Sequence, residues 1–299
     1  MKLFTTLFFQ VKKIIKKIIV TQVDTEEKVI NDFFKRGQIP WSKGYEIHKE
    51  KSIAKALHNV DIIDSIDKLN QSSNYGYRLD ERIVEYPWVF KYLENTGSRL
   101  LDAGSTFNFK YILDLPQLQK KELTIFTYAP ESPNFNEKKI SYVYGDLREL
   151  PFKNEYFDAI VSQSTIEHID MDNSIYGYDI EHNKNSEKKS YEYLLAVKEM
   201  VRVLKVDGTL LITFPFGKFE HHGFFQQFND EMLEILIQEL NQNGKCETAF
   251  FRYLKQGWCS CLQLDCANIK SYNPHTKKGE AEDGAAHCRS ICCINFKKN

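Results

Sequence analysis

The sequence predicts an α/β fold in which a doubly wound, mostly parallel sheet of seven strands follows a helical N-terminal extension. From about residue 78, short apolar segments typical of strands alternate with helical segments, a pattern that implies parallel strands covered by helices. Residues 22–75 are mostly polar with helical spacing, and a turn-rich stretch over 69–77 ends this part. We therefore predict an extension over residues 1–75 and an α/β domain over residues 76–299.

The predicted strands are short runs of apolar and β-branched residues between turn signals. Five lie in the central region and two in the C-terminal tail, where we expect a hairpin at one sheet edge. In chain order they are Arg99–Gly104, Lys121–Tyr128, Ser141–Gly145, Phe157–Ser164, Thr209–Phe216, Glu247–Leu254 and Arg289–Phe296. Residues 191–204 carry apolar side chains at helical spacing and predict a helix before the fifth strand.

The charge balance disfavours nucleic acid as a partner. The 299 residues include 40 basic and 41 acidic side chains, for a net charge of −1, and no long basic stripe interrupts the central region. Apolar residues make up 42% and aromatic residues 13% of the chain, which is enough to build a substantial core. The composition thus predicts a globular protein and leaves its substrate open.

The cysteines favour a reducing, cytoplasmic location. Their number is odd, at seven, and no credible secretory signal precedes them. Six cluster near the C-terminus, where a zinc site is one interpretation, but the paired C-x-x-C knuckles of such sites are missing. We therefore predict buried, reduced cysteines and no metal, against a zinc site drawn from Cys259, Cys261, Cys266, His275, His287 and Cys288.

Residues 1–20 predict a basic amphipathic helix. Apolar side chains recur at helical spacing, and Lys12, Lys13, Lys16 and Lys17 fall on the opposite face. Four lysines exclude a comfortable transmembrane span, and the short apolar run without a cleavage site disfavours a signal peptide. Two interpretations remain open: peripheral contact with a membrane interface, or docking on the chain's own domain or on a second subunit in a homodimer.

The segment from Gly145 to Ile169 carries the strongest functional signal. Asp146 and Leu147 follow one apolar strand, and the next strand, Phe157–Ser164, ends on hydroxyl and amide side chains before Glu167 and His168. Because open α/β sheets bind ligands outside the carboxyl ends of their strands, these groups are predicted to share one site.

Two further segments give a family resemblance. Leu101-Asp102-Ala103-Gly104 resembles the first motif of class I S-adenosylmethionine-dependent methyltransferases, and residues 199–210 resemble the helix-turn-strand that follows the acceptor segment in that family. The resemblance covers residues 78–220 and implies a Rossmann-like domain that uses S-adenosylmethionine. The chain also resembles an uncharacterised bacterial subgroup associated with surface-polysaccharide gene neighbourhoods, which implies methyl transfer to a small-molecule or saccharide acceptor.

The resemblance also implies roles for individual residues. The first loop would pass beneath the cofactor, the second strand end would hold the ribose, and Asp146 and Leu147 would contact the adenine. Ser164 would line the pocket at the fourth strand end. The implied cofactor-binding residues are Asp102, Ala103, Gly104, Thr106, Asn108, Thr127, Glu131, Asp146, Leu147 and Ser164.

The chain departs from the family pattern at two points, which motivates an alternative. Ser105-Thr106-Phe107-Asn108 replaces the usual further glycines of the first loop, although its hydroxyl and amide groups could bind the methionyl carboxylate. Thr127 stands where an acidic residue usually binds the ribose, so Glu131 is the candidate substitute. The alternative to an enzyme is a non-catalytic binding or scaffold protein on a degenerate methyltransferase fold.

The acceptor chemistry points to three residues. Methyl transfer depends on positioning, and an oxygen or nitrogen acceptor also needs its proton removed, for which imidazole is suitable. His168 is the candidate base, Glu167 its orienting partner, and His222 a second candidate near the fifth strand. The open alternative is that Glu167 and His168 are structural. Groups that could close the site are Tyr176 and Tyr178 of a predicted lid over residues 170–190 and, opposite, Arg78, Asp80, Glu81 and Tyr86.

Overall fold

The computed structural model describes residues 25–177, 182 and 188–299. Within them, eight strands form one sheet in the order β3-β2-β1-β4-β5-β10-β8-β9. Their bounds are β1 Arg99–Ala103, β2 Glu122–Thr127, β3 Ser141–Tyr144, β4 Phe157–Gln163, β5 Leu204–Pro215, β8 Gly244–Leu254, β9 Gly257–Cys261 and β10 Ser290–Lys298. A separate ribbon pairs β6 Glu220–His221 with β7 Gln226–Gln227.

The sheet confirms the predicted α/β fold and corrects its strand count. Strands β1 to β5 pair in parallel, and β10, β8 and β9 are antiparallel. The eighth strand, β9, was not predicted, because only two residues separate it from β8. Leu254 at the end of β8 pairs with Gly257 at the start of β9. The two predicted tail strands do pair, but β10 lies between β5 and β8 and not at an edge.

Helices cover both faces of the sheet. Their bounds are α1 over residues 25–35, α2 Tyr45–Leu57, α3 Val60–Ser65, α4 Arg82–Leu93, α5 Lys110–Leu113, α6 Tyr193–Val203, α7 Asp230–Asn241 and α8 Gln263–Cys266. Local signals explain their limits: at α7, for example, the Asn229 side chain accepts a hydrogen bond from the Met232 N–H, and two acidic residues open the helix.

The strands alternate their side chains between two hydrophobic layers. Leu100 and Ile125 pack on the layer formed with α2 and α4, whereas Leu101 and Phe126 pack on the layer formed with α6 and α7. Phe33 and the α2 residues join the first layer, so the N-terminal extension and the α/β domain share one core.

The turn-rich stretch over residues 69–77 covers an edge of the sheet. The Trp258 N–H of β9 donates to the Tyr75 carbonyl at 2.7 Å, and the Ser260 N–H donates to the Leu69 carbonyl at 3.0 Å. Because an edge strand with free N–H groups invites pairing with other chains, this cover protects β9. The stretch expected to mark a domain boundary therefore joins two parts of one core.

The C-terminal cysteines are reduced and mostly buried, as expected for small apolar side chains. All are free, and Cys246 and Cys261 are the two that are half-buried. Cys292 and Cys293 lie within β10, in the interior of the sheet.

Two predicted features lie outside the described residues: the basic amphipathic helix over residues 1–20, and Tyr178 with most of the central part of the predicted lid. Within the described part of the chain, every helix is too short or too polar to span a bilayer.

Candidate active site

A cavity of about 260 Å³ opens at the carboxyl ends of β1, β2, β3 and β4. This is the edge at which open α/β sheets bind ligands. Eight of the predicted site residues line it, namely Gly104, Thr106, Thr127, Glu131, Asp146, Leu147, Ser164 and His168. Five do not reach its wall, namely Asp102, Ala103, Asn108, Glu167 and His222.

Asp102 shapes the loop after β1 instead of lining the cavity. Its carboxylate is fully buried and accepts hydrogen bonds from the Phe107 N–H at 2.7 Å, the Thr106 N–H at 3.1 Å and the Thr106 hydroxyl at 3.0 Å. Burial raises the pKa of Asp102 to about 6, against the opposing effect of these donors. Ala103 is likewise buried in β1, so both predicted cofactor contacts act from beneath the loop.

At Gly104 the backbone of the loop after β1 comes close to the Thr165 side chain. Its φ of +134° is a conformation that side chains rarely adopt, and a Cβ there would lie 2.1 Å from the Thr165 hydroxyl oxygen. The absence of a Cβ thus leaves room for the Thr165 side chain, and the backbone at this position borders the cavity directly.

Glu131 links the loop after β1 to the end of β2. Its carboxylate accepts hydrogen bonds from the Thr127 hydroxyl at 2.9 Å, the Ser105 hydroxyl at 2.6 Å and the Asn108 amide at 3.3 Å. Asn108 does not line the cavity but helps to fix this carboxylate. Glu131 thus places an acidic group beside the second strand end, where the resemblance requires an acceptor for ribose hydroxyls.

Asp146 lies on the cavity wall with its carboxylate engaged. The Arg148 guanidinium approaches to 2.7 Å, and the Tyr128 hydroxyl donates at 2.8 Å. Burial acts to raise the pKa of Asp146, but these hydrogen bonds outweigh it and lower that pKa. The Arg148 N–H at 2.8 Å and the Arg148 Nε at 3.1 Å donate to the other carboxylate oxygen, so these four donors occupy the roughly four lone-pair sites of Asp146. The sequence alone did not reveal Arg148 at this position.

His168 presents one nitrogen as a base. Its Nδ1 lies 2.6 Å from the Phe224 carbonyl oxygen, which only accepts, so Nδ1 carries the proton and Nε2 carries the lone pair. Burial lowers the pKa of His168 to about 4, which keeps the ring neutral near pH 7. Phe224 stacks on the imidazole at 5.7 Å, and Tyr176 contacts it edge-on at 5.6 Å.

Glu167 is buried behind His168. Its Oε1 lies 3.8 Å from the His168 Nε2, and its Oε2 has no hydrogen-bond partner among the described residues. Burial raises the pKa of Glu167 well above its usual value. Burial thus favours the uncharged form of this carboxyl group, which lies next to the candidate base and does not line the cavity.

His222 is placed away from the cavity, against the prediction of an acceptor contact. Its Nε2 lies 3.2 Å from a Glu220 carboxylate oxygen, and Phe225 stacks on its ring at 4.5 Å. The same Glu220 oxygen accepts the Ser271 N–H at 3.0 Å. Burial lowers the pKa of His222 to about 3. The ring thus packs within the β6–β7 region, because that short ribbon turns it away from the sheet edge.

Helix α4 brings to the site two residues that sequence reasoning missed. Arg82 lines the cavity and donates to Glu85 at 3.1 Å and to the Gln163 carbonyl at 3.2 Å. Glu85, fully buried, accepts from the Ser164 hydroxyl at 2.5 Å and the Thr213 hydroxyl at 2.6 Å. The available signal was a charged pair at i,i+3 in an otherwise apolar helix.

The four residues that were expected to close the site opposite the lid bond to other parts of the chain and do not line the cavity. Arg78 donates to the Gly37 carbonyl, and Asp80 pairs with Lys49 at 3.0 Å. Tyr86 is buried, and its hydroxyl donates to the Thr106 carbonyl at 2.5 Å, so it supports the loop after β1 from behind. Glu81 contacts His287 at 3.1 Å.

Comparison with known protein families gives a match to part of the chain. Residues 117–212 match a family model described as a methyltransferase domain. The matched region contains β2, β3 and β4 with much of the cavity wall, and the description of the family supports methyl transfer in general. No curated protein sequence matches the chain significantly.

Solved structures of similar fold include three of interest. The YcgJ protein from Bacillus subtilis is 14% identical, with 71% of this chain and 96% of that chain covered and a TM-score of 0.43. A SAM-dependent methyltransferase from Archaeoglobus fulgidus is 16% identical, with 74% and 96% covered and a TM-score of 0.44. The N-methyltransferase NodS from Bradyrhizobium japonicum WM9, in complex with S-adenosyl-L-homocysteine, is 13% identical, with 84% and 98% covered and a TM-score of 0.40.

Proposed function

We propose that this protein is an S-adenosylmethionine-dependent methyltransferase acting on a small-molecule or saccharide acceptor. The observation that carries the proposal is the cavity at four adjacent strand ends, which gathers eight of the residues that the family resemblance assigns to the site. The carboxylate of Glu131 beside the second strand end fits a nucleoside-containing cofactor, since it can accept from ribose hydroxyls.

Different residues along the cavity are proposed to contact different parts of the cofactor. Gly104 and Thr106 border one end of the cavity, where the methionyl end of the cofactor is proposed to lie, Glu131 is proposed to accept from ribose hydroxyls, and Asp146 and Leu147 are proposed to contact the base. S-adenosylmethionine supplies a methyl group on a sulfonium, which is already a good leaving group. Orienting the acceptor therefore accounts for much of the rate.

His168 is proposed to take the proton from a hydroxyl or amine acceptor. Its Nε2 is unprotonated because Nδ1 donates to the Phe224 carbonyl, and the ring is neutral above a pKa of about 4. Glu167 is proposed to orient the ring from its Nε2 side, since its Oε1 lies 3.8 Å from that nitrogen. Tyr176 lines the cavity beside them and fits the role of an acceptor contact.

Isothermal titration of the full chain with S-adenosylmethionine and S-adenosylhomocysteine tests the cofactor. We expect binding of both, weakened about tenfold by Glu131→Gln, since one hydrogen-bonded group is worth roughly 1.4 kcal/mol. Glu137→Gln is the matched control, because Glu137 is exposed and lies off this cavity. Absence of binding at millimolar ligand would contradict the proposal.

The alternative of a non-catalytic scaffold predicts an occluded cofactor pocket. The open cavity with a neutral imidazole on its wall favours the enzyme over the scaffold. Transfer of labelled methyl groups to saccharide-containing small molecules distinguishes them, and cofactor binding without any transfer would favour the scaffold.

Peripheral membrane contact through residues 1–20 is proposed from the sequence, with a cytoplasmic location. A basic amphipathic helix binds anionic lipid surfaces through its apolar face and its lysines. We expect the full chain to float with anionic liposomes and a chain lacking residues 1–20 to remain behind. Equal flotation of the two chains would remove the membrane role and favour protein docking or a homodimer.

A further inference from the structure

We propose that Glu81, His287 and Cys288 form a binding site for one divalent transition-metal ion of the zinc class. The side chains converge although Glu81 lies some 200 residues from the other two along the chain. One ligand atom from each, a carboxylate oxygen, Nδ1 and Sγ, all lie within 4.8 Å of one another. Oxygen, nitrogen and sulfur donors in this combination suit zinc, cobalt and related ions.

The spacing of the donor atoms fits a tetrahedral centre after small adjustments. The His287 Nδ1 lies 3.1 Å from the Glu81 Oε1 and 2.9 Å from the Cys288 Sγ. Bond lengths of about 2.0–2.3 Å at tetrahedral angles place ligand atoms roughly 3.3–3.6 Å apart. The Nδ1–oxygen pair therefore has to open by about 0.2 Å and the Nδ1–sulfur pair by about 0.6 Å, within the range of side-chain rotation.

Burial and charge also favour a cation. Glu81 is 5% exposed and Cys288 is 1% exposed, and the His287 side chain retains 16% exposure, which gives an approach from solvent. A carboxylate and a thiolate together carry two negative charges, which one divalent ion would neutralise within the protein. On binding, the S–H bond of Cys288 breaks, its electron pair forms the metal–sulfur bond and its proton passes to solvent.

The backbone holds the donors in place from two elements. Glu81 immediately precedes α4, and its second carboxylate oxygen accepts the Cys288 N–H at 3.3 Å. His287 and Cys288 immediately precede β10, which is fixed in the interior of the sheet. A metal there would have three protein ligands, the number typical of sites that keep a fourth position open for water or a small molecule.

The site adjoins the acceptor side of the cavity. The Phe224 ring, which stacks on His168, lies 6.3 Å from the His287 ring, and Phe225 lies 5.1 Å from it. An open fourth position would therefore lie near the aromatic wall around the candidate base. The metal proposal stands on the donor set alone and does not require the chain to be a methyltransferase.

The competing explanation for this cluster is an ion pair between Glu81 and His287 without any metal. A metal could also be bound elsewhere, at the two neighbouring thiols of Cys261 and Cys266. The sulfur atoms of Cys261, which precedes α8, and Cys266, the last residue of α8, lie 3.4 Å apart, and no histidine among the described residues joins them in a ligand group. Variants at the two locations separate these cases.

The test uses the full chain, stripped with a chelator and titrated with Co²⁺ and Zn²⁺. We expect a near-ultraviolet thiolate-to-cobalt band that saturates at one ion per chain and is removed by Zn²⁺. Cys288→Ser should abolish the band, and Cys261→Ser, the matched control, should leave it unchanged. Competition with a chromophoric chelator should show Zn²⁺ affinity at least tenfold lower in Cys288→Ser than in the unaltered chain.

His287→Gln provides a second, less buried change in case Cys288→Ser does not fold, and thermal unfolding followed by circular dichroism reports on folding. The His287→Gln change should also abolish the cobalt band. No band in the unaltered chain, a band that persists in folded Cys288→Ser or His287→Gln, or a band lost in Cys261→Ser would overturn the proposal.

Discussion

Gly104 is the single residue on which the loop after β1 depends most. A Cβ at this position would lie 2.1 Å from the Thr165 hydroxyl oxygen, in addition to the strain of its positive φ. We expect Gly104→Ala to reduce S-adenosylhomocysteine affinity at least tenfold, because either Thr165 or the loop must move at the cavity wall.

Gly37→Ala isolates the effect of the clash. Gly37 also has a positive φ, of +83°, but its nearest neighbour to a Cβ is at 3.8 Å and it lies off the cavity. Titration calorimetry on both variants makes the comparison. If the two variants bind the ligand equally well, the close approach at Gly104 has no role in binding.

His168 should make the protein sensitive to mild acid. Its pKa is lowered in the folded state to about 4 from the usual 6.5, so the unfolded chain binds the proton more readily. The stability contributed by the neutral ring is complete above pH 6.5 and is lost as the pH falls from 6.5 towards 4. Between pH 7 and pH 5 the loss is at most about 2 kcal/mol, given that the side chain is mostly but not fully buried.

His168→Gln should therefore shrink the difference between urea-unfolding free energies at pH 7 and pH 5. His58→Gln, at an exposed position after α2, should keep the difference found for the unaltered chain. A His168→Gln protein with the full difference would show that this imidazole is not held neutral by the fold.

At the scale of elements, Glu85 fastens helix α4 to the carboxyl ends of β4 and β5. It is fully buried and accepts hydrogen bonds from Arg82, Ser164 and Thr213. We expect Glu85→Ala to lower the free energy of unfolding by about 3 kcal/mol, because a guanidinium and two hydroxyls lose their acceptor. Denaturant unfolding measures this loss, with Glu94→Ala at the exposed end of α4 as the control. A loss below about 1 kcal/mol would mean that water replaces the carboxylate.

The same contacts show what the sequence could and could not predict. Strand ends were predictable because each signal is local: an apolar run followed by Gly104, Thr127, Asp146 or Ser164. The contact between Ser164 and Glu85 joins residues 79 positions apart, and nothing in either segment specifies it. The sequence therefore predicts which edge binds a ligand, whereas the groups that α4 adds to that edge follow from tertiary packing.

The misplacement of His222 has the same origin. Its position after the fifth strand predicted the correct region, but the β6–β7 ribbon pairs the ring with Glu220 and Phe225. Orientation within a short ribbon depends on its register, which a two-residue strand does not encode by alternation. The predicted strands also omitted β9, which follows a two-residue turn, and the two-residue strands β6 and β7.

At the scale of the whole molecule, the described part of the N-terminal extension packs into the core of the α/β domain, so we expect the two to unfold as one cooperative unit. Phe33, Tyr45, Ile53 and Leu57 are buried in the same layer as strand residues such as Leu100. Residue 41 adds a link across the chain, since the Trp41 indole donates to the Ala286 carbonyl at 2.6 Å. Each large apolar side chain of this kind contributes about 1.5–3 kcal/mol through burial, so the four together rival the net stability of a domain.

A chain limited to residues 76–299 should therefore fail to fold cooperatively. Its first layer would be exposed to water, and β9 would lose the N–H acceptors at Leu69 and Tyr75, leaving an open sheet edge prone to pairing between chains. We expect this chain to aggregate or to show a broad, non-cooperative thermal transition by circular dichroism, whereas the full chain shows a single sharp one. The double change Phe33→Ala and Leu57→Ala in the full chain should also broaden the thermal transition, although residues 69–77 still cover β9. A soluble 76–299 chain with a sharp transition would show that the α/β domain folds independently, and the residues before it would then be a separable appendage.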